Sequence, residues 1–243
     1  IKWLLKTPVV ATVHNIKSQF SLFQRYVHVI CVSHYLAKKI DNAGAEVIYN
    51  GIQVPQIKIA PLTKQYQLPN SKPILCAVGR LVPAKGFDVL LEAIDGLDMS
   101  LIIVGEGPQR HALEKRIAIM QANTAVRLIG HVDNPVAVMH SADGLVISSR
   151  REGFSYVLNE ALMCGVKVLA TDVPVANEVL PSMLIVPVDD VVMLRKKLET
   201  LLHTPSYWSA LMQGAQQFAK QEMTIEQMTK KTVNLYQRIH KIN

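Results

Sequence analysis

Two acidic residues eight positions apart, Glu152 and Glu160, flank the turn Gly153-Phe154-Ser155 in the stretch SSRREGFSYVLNEALMCGVKVLAT. Eight residues of unbroken helix rotate through about 800°, which would leave the two carboxylates about 80° apart and off a shared face. Gly153 permits a turn instead. A helix beginning near Ser155 would leave Glu152 in the loop and gather the N–H groups of Phe154, Ser155 and Tyr156 into an anion-binding end. Glu160 would then lie about one turn into the helix, facing the same cleft. In that arrangement one carboxylate can accept hydrogen bonds from sugar hydroxyls and the other from a ribose. Two ordinary solvated glutamates would show the same spacing.

Other loops add candidates. GRLVPAKGF offers Gly79 for a tight exit from an apolar run and two permanent cations, Arg80 and Lys85, beside a helix start. That combination suits a diphosphate and can stabilise further charge as the anion leaves. A solvated basic loop would read the same way. GEGPQR begins like a dinucleotide fingerprint but places Arg110 at the third glycine position, and it does not open a first βαβ unit. Gly105 and Gly107 therefore read as turn glycines, near a ligand or purely structural. His14 ends the run TPVVATV, where a histidine serves either structure or catalysis.

Elements must hold these loops in place. PVVATVH, VHVICVS, AEVIYN, PILCAVG, SLIIVG, AVRLIG, GLVISS and VKVLAT are short, almost wholly apolar and separated by helix-like stretches. Such alternation predicts an α/β, doubly wound architecture with strands covered on both faces, and in such sheets ligands bind beyond the strands' carboxyl ends. LIVPV adds a sixth strand to the five between Ile74 and Thr171. Phe87, Leu90, Leu91 and Ile94 keep helical spacing, as do Leu113, Ile117 and Met120. Ser33 stands as an N-cap and Gly165 as a C-terminal glycine. Thr224 and Gln227 form a capping box for a last helix striped by Ile225, Met228, Leu235, Ile239 and Ile242. The proline- and lysine-bearing stretch QVPQIKIAPLTKQYQLPNSKP breaks the pattern. The expected organisation is residues 1–55 as part of one Rossmann-like lobe, 56–72 as a linker, 73–222 as a complete one, and 223–243 as a helix returning to the first.

Composition narrows the function classes. The 243 residues are 49% hydrophobic with a net charge of +7. No apolar run approaches the roughly 18 residues of a membrane span, and no secretion signal is present, which together predict a cytoplasmic protein. Cys31, Cys76 and Cys164 are far apart within apolar segments, as buried thiols rather than disulfides or metal ligands. Lys220, Lys230, Lys231, Arg238 and Lys241 make the C-terminus basic. That suits either a solvated helix face or peripheral attraction to the acidic cytoplasmic face of a membrane. Nucleic-acid binding lacks any supporting motif.

GRLVPAKGFDVLLEA, LIIVGEGPQRHALE, RLIGHVDN and ISSRREGFSYVLNEALMCGVKVLATDVPVANEV, in that order, resemble glycosyltransferase family four, of GT-B fold. The similarity runs from about Thr7 to Val179. It implies that Arg80 and Lys85 hold the diphosphate of a nucleotide sugar, a UDP-, GDP- or ADP-sugar. It also implies that Glu152 contacts the donor sugar and Glu160 the ribose, and that Phe154, Ser155, Tyr156 and Val157 clamp phosphate and sugar. Gly130, His131 and Val132 match the loop near the base, and His14 the active-site histidine across an interdomain cleft. The family implies a retaining hexosyl transfer without metal or cofactor to a glycan or lipid-linked acceptor, in surface polysaccharide biosynthesis such as lipopolysaccharide, capsule or exopolysaccharide. No Asp-x-Asp element is present. Three departures stand out: Ser155 replaces the family's usual glycine, VPVA replaces a later glycine pair, and the glycine-rich acceptor loop and first strands are absent. The chain is therefore expected to be a fragment or a truncated relative. Its alternative is a nucleotide-sugar-binding module without transfer activity; a dinucleotide-dependent enzyme is disfavoured by the failed fingerprint.

Overall fold

The computed structural model describes residues 9–15, 28–40, 42, 44–53, 56 and 59–242. Thr7, Pro8, Val54, Pro55, Ile57, Lys58 and Asn243, and the side chains of Lys241 and Ile242, lie outside the described residues. The apolar runs form two all-parallel sheets. In the smaller, β1 (Val10–Val13), β2 (His28–Cys31) and β3 (Ala45–Val47) lie in that order, with α1 (His34–Ile40) after β2. The larger sheet comprises β4 (Ile74–Val78), β5 (Met99–Val104), β6 (Thr124–Gly130), β7 (Gly144–Ile147), β8 (Val168–Thr171) and β9 (Ile185–Val186). Its strand order is β6-β5-β4-β7-β8-β9.

That order decides where a ligand can sit. The chain winds outward from β4 through β5 to β6, then returns to the other side of β4 to lay down β7, β8 and β9. The loops after β4 and β7 consequently leave in opposite directions and open a crevice at the strands' carboxyl ends. Every residue of β5, β7 and β8 is buried, as strands sandwiched between helices require. The covering helices include α3 (Phe87–Ile94), α4 (Arg110–Ala118), α5 (Pro135–Ser141), α6 (Tyr156–Met163), α7 (Ala176–Val179) and α8 (Val191–His203). Phe87, Leu90, Leu91 and Ile94 are all buried on α3. Gly165 ends α6 in the left-handed conformation, φ 73°, with the Val166 N–H returning to the Ala161 carbonyl.

The described residues of 56–72, a stretch expected as a linker, include a short helix, α2 (Leu62–Tyr66), and are tied to the larger sheet's layer. Leu62 and Leu68 are buried, the Ala60 N–H donates to Ser141 Oγ at 2.7 Å, and Lys72 Nζ donates to the Asn123 carbonyl at 2.6 Å. These partners lie 51 to 81 positions away, which is why composition gave no sign of them. The chain instead crosses between lobes at Asn50–Gln53 and again between α9 (Pro205–Glu222) and α10 (Ile225–Ile242). There the Ile52 N–H donates to the Met223 carbonyl and the Ile225 N–H to the Ile52 carbonyl, at 3.1 and 3.3 Å. Asn159 of α6, fully buried, donates from Nδ2 to the carbonyls of Asn50 and Met223, at 3.2 Å each.

Thr224 Oγ1 accepts from the Gln227 N–H at 3.1 Å and starts α10. That helix packs on the smaller sheet through Leu235 and Ile239, which join Ile30 and Ile48, flanked by Val10 and Met228. Arg238 forks onto Glu46 at 2.6 Å. The stripe begins at Met228 rather than Ile225, which is 41% exposed because α10 reaches the sheet only a turn further on. No helix among the described residues is long and apolar enough to cross a membrane.

Trp208 anchors α9: it is 1% exposed and donates its indole N–H to the Val168 carbonyl of β8 at 3.1 Å. Trp208→Ala should destabilise the fold by about 3–5 kcal/mol through the cavity it leaves, read as a lowered midpoint in urea unfolding.

Candidate active site

The two loops at the switch point interlock. Gly86, φ 63°, lies so close to the Ser148 carbonyl that a Cβ would stand 2.1 Å from its oxygen. Only glycine satisfies both the left-handed turn and that approach. Ser148 Oγ donates to the Lys85 carbonyl at 2.9 Å, and the Arg150 N–H to the Ala84 carbonyl at 2.8 Å. The Arg150 guanidinium spans the Pro83 carbonyl, Asp88 and Asp189 at 2.6–2.9 Å, and holds the Asp88 carboxyl below the ordinary carboxylate range. The 3₁₀ turn Pro83–Lys85 is thus clamped to the loop after β7.

Across this clamp Lys85 Nζ meets Glu152 Oε1 at 2.6 Å, and the same oxygen accepts from Ser149 Oγ at 2.7 Å. Glu152 is only 9% exposed and the Lys85 side chain 22%. A carboxylate this far removed from water requires such partners. The Lys85 stem packs over Gly79, and the pair borders a cavity of about 10 Å³ with Phe87, Ser149, Ser155 and Val157 on its wall. Arg80 is exposed and enters none of the salt bridges found among the described residues.

Glu152 lies in the loop and α6 starts at Tyr156, so the two glutamates belong to different local structures. Ser155 is the N-cap, extended at φ −97° and ψ 97°, its Oγ accepting from the Leu158 N–H at 3.4 Å. The departure from glycine therefore leaves a capped helix start, with Tyr156 51% exposed at its mouth and packed edge-on against Phe154 at 5.2 Å. Val157 is half-buried. Glu160, half-buried in the next turn, is not on the cavity wall; burial pushes its carboxyl above the ordinary range. Gly130 ends β6 with φ 77°, its carbonyl accepting from the Gly105 N–H at 2.7 Å; His131 is exposed and Val132 half-buried beyond it.

His14 is exposed in the other lobe, and its backbone meets the loop after β7. A Cβ on Gly153 would lie 2.5 Å from the His14 carbonyl oxygen and 2.7 Å from Asn15 Cα. The structure therefore brings the Lys85–Glu152 pair, the α6 N-terminus and the His14–Asn15 turn together, with Arg80, His131 and Glu160 outside the small cavity. Ser148, Ser149 and Arg150 were missed from sequence, although they stand in the same stretch as Glu152. Their only signal was polarity directly after a buried strand.

An interlocked crevice at the switch point of a doubly wound sheet, facing a second Rossmann-like lobe, is the architecture of GT-B glycosyltransferases. Residues 59–221 match the family model of glycosyl transferases group 1, and the chain belongs to that family. The putative teichuronic acid biosynthesis glycosyltransferase TuaC of Bacillus subtilis is 34% identical over 176 residues, covering 66% of this chain and 43% of its own. An uncharacterized glycosyltransferase of Methanocaldococcus jannaschii is 30% identical over 156 residues, 62% of this chain and 42% of its own. The matched part of the chain spans less than half the length of these curated relatives. Among solved structures, Anabaena HepE in complex with UDP and glucose has a similar fold, with a TM-score of 0.82 at 20% identity, over 95% of this chain and 71% of that one.

Lys85→Ala leaves Glu152 buried with Ser149 alone. It should lower stability by about 3 kcal/mol, since removing one partner strands the other charge. Lys85→Ala combined with Glu152→Gln should restore much of that loss, as thermal or denaturant unfolding of the two variants will show.

Proposed function

We propose that the chain carries the donor-binding half, with part of the acceptor half, of a retaining hexosyltransferase. It would transfer a hexose from a nucleotide-diphosphate sugar to a hydroxyl of a glycan or lipid-linked acceptor. The observation that carries this reading is the Lys85–Glu152 pair beside the α6 N-terminus at the switch point, with His14 and Asn15 against Gly153. The helix start and Arg80 suit the diphosphate. Lys85 exchanges its bond to Glu152 for one to a phosphate oxygen, which frees the Glu152 carboxylate to accept from sugar hydroxyls. Glu160 takes the ribose.

In this mechanism the acceptor oxygen bonds to the anomeric carbon on the face that the diphosphate leaves. The bond from that carbon to the phosphate oxygen breaks, and the acceptor's proton passes to the departing phosphate. Arg80 and Lys85 stabilise the charge that develops, so a metal is not required. The exposed His14, with nearby carbonyl oxygens, steadies the oxocarbenium-like state. A role in surface polysaccharide synthesis is supported by relatives named for it, TuaC and the Escherichia coli O-antigen biosynthesis glycosyltransferase WclY, 25% identical over 159 residues.

Titrating the chain with UDP, GDP and ADP, then following turnover of the matching sugar nucleotides, tests this directly. One nucleotide should bind, and Glu160→Ala should weaken it by about 1.5–3 kcal/mol, the worth of a charge-assisted hydrogen bond. Unchanged affinity would remove Glu160 from the site, and failure of all three nucleotides to bind would end the reading.

Proton linkage gives a second check. Between the ordinary carboxylate value and its raised one, Glu160 holds a proton in the folded chain that the unfolded chain has lost. Its contribution to stability therefore falls as pH rises through that window. Ribose hydroxyls favour the ionised carboxylate, so nucleotide binding there should release a proton and tighten with rising pH. Calorimetry in two buffers of different ionisation enthalpy measures the release.

A further inference from the structure

Four strand ends face one another across the lobes. β1 and β2 are parallel neighbours in the smaller sheet, and β7 and β8 in the larger. The turn after β1 meets the loop after β7, where His14 and Asn15 press on Gly153. The segments after β2 and β8 meet through a different device. The helix after β2, α1, begins with three N–H groups that no turn of helix precedes. Ser33 Oγ accepts from the Leu36 N–H at 3.2 Å. The other two, on His34 and Tyr35, donate at 3.1 and 2.9 Å to the two carboxylate oxygens of Glu178, about 140 residues away in α7. Tyr49, 5% exposed and just beyond β3, donates its phenol to the same carboxylate at 2.9 Å.

Glu178 is aimed there by a strained turn. Val175 adopts φ 71° and ψ −47°, a conformation β-branched residues avoid. It is held by complete burial of its side chain and by the N–H groups of Glu178 and Val179, both of which donate to its carbonyl at 3.1 Å. Asn177 Nδ2 ties the same loop to Asp172 at 2.7 Å. Strain of this kind persists where the surroundings over-determine it, and it concentrates at functional sites.

We infer that Glu178 is a positioning residue: by tying the start of α1 and Tyr49 to α7, it sets the separation at which His14 faces the donor crevice. Burial, and then the Glu178 carboxylate itself, push the Tyr49 phenol well above its ordinary range, so the phenol remains a donor throughout the neutral range. Val32 donates its N–H to the Val13 carbonyl at 3.3 Å, which couples the segment entering α1 to the residue before His14. Glu178 touches neither donor nor acceptor in this account, which rests on the proposed transfer reaction. Its removal therefore acts on turnover and leaves nucleotide affinity alone.

The test uses Glu178→Ala and the milder Tyr49→Phe in the full chain. The nucleoside diphosphate among UDP, GDP and ADP that the unaltered chain binds serves as ligand, and the corresponding sugar nucleotide as donor. Glu178→Ala should lower turnover of the donor by about tenfold or more, as a small misplacement of reacting groups does, with the nucleotide Kd within about twofold. Tyr49→Phe should fall between. Spin labels at Lys38→Cys and Val192→Cys, both exposed and in different lobes, report the separation; the native cysteines are buried. The distance distribution should broaden in Glu178→Ala and less so in Tyr49→Phe. An unchanged distribution overturns the inference, as does a nucleotide Kd that weakens in step with turnover. If no nucleotide binds the unaltered chain, the proposed function fails, and the spin-label distances still decide whether Glu178 sets the separation.

Discussion

The contact between Lys85 and Glu152 organises the site. Neither charge could be held this far from water alone, so the loop after β4 must meet the loop after β7. That meeting explains the surrounding details: glycine at 86 against the Ser148 carbonyl, Ser148 on the Lys85 carbonyl, and Arg150 fastening the intervening turn. Strand order places these two loops on either side of the switch point, and the ion pair closes the gap between them. Once closed, the pair confines a space no larger than one water. Any ligand entering here must therefore redistribute these contacts rather than fill a vacant pocket.

Much of the larger lobe was legible in sequence because its determinants are local. Each apolar run after a turn became a strand, and even LIVPV supplied the short β9. Capping chemistry at Ser33, Thr224 and Gly165 was equally readable, since a cap needs only its own next turn. What could not be read depends on partners distant in the chain. The segment of α2, buried through Leu62 on the helix and Leu68 just beyond it, reads as a linker because its neighbours lie dozens of residues later. Ile225 kept helical spacing but fell short of the sheet it was expected to cover. In the site, residue types announced Glu152 and Lys85, whereas their direct contact and the supporting serines emerge only when the loops are superimposed in space.

The two lobes are joined by more than the chain crossings. Asn159, one residue before Glu160, fastens both crossings from within α6, the helix whose N-terminus opens on the crevice. Its Oδ1 is buried without a hydrogen-bond partner among the described residues, so the side chain is committed as a donor to those two carbonyls at some cost. The helix that opens on the crevice is thus also the one that holds the lobes' connections.

Many of the hydrogen-bonding groups that meet across the seam belong to the peptide backbone: the carbonyls of His14, Asn50, Ile52 and Met223, and the N–H groups of His34, Tyr35 and Ile225. Backbone groups are the same whatever side chain they carry. In polar terms, a joint built this way asks for a glycine at 153, an asparagine at 159, a carboxylate at 178 and the phenol of Tyr49, beside the apolar packing of Tyr49 on Phe218. Each half can then accumulate substitutions, or be exchanged for a homologous half, without the joint having to be reinvented.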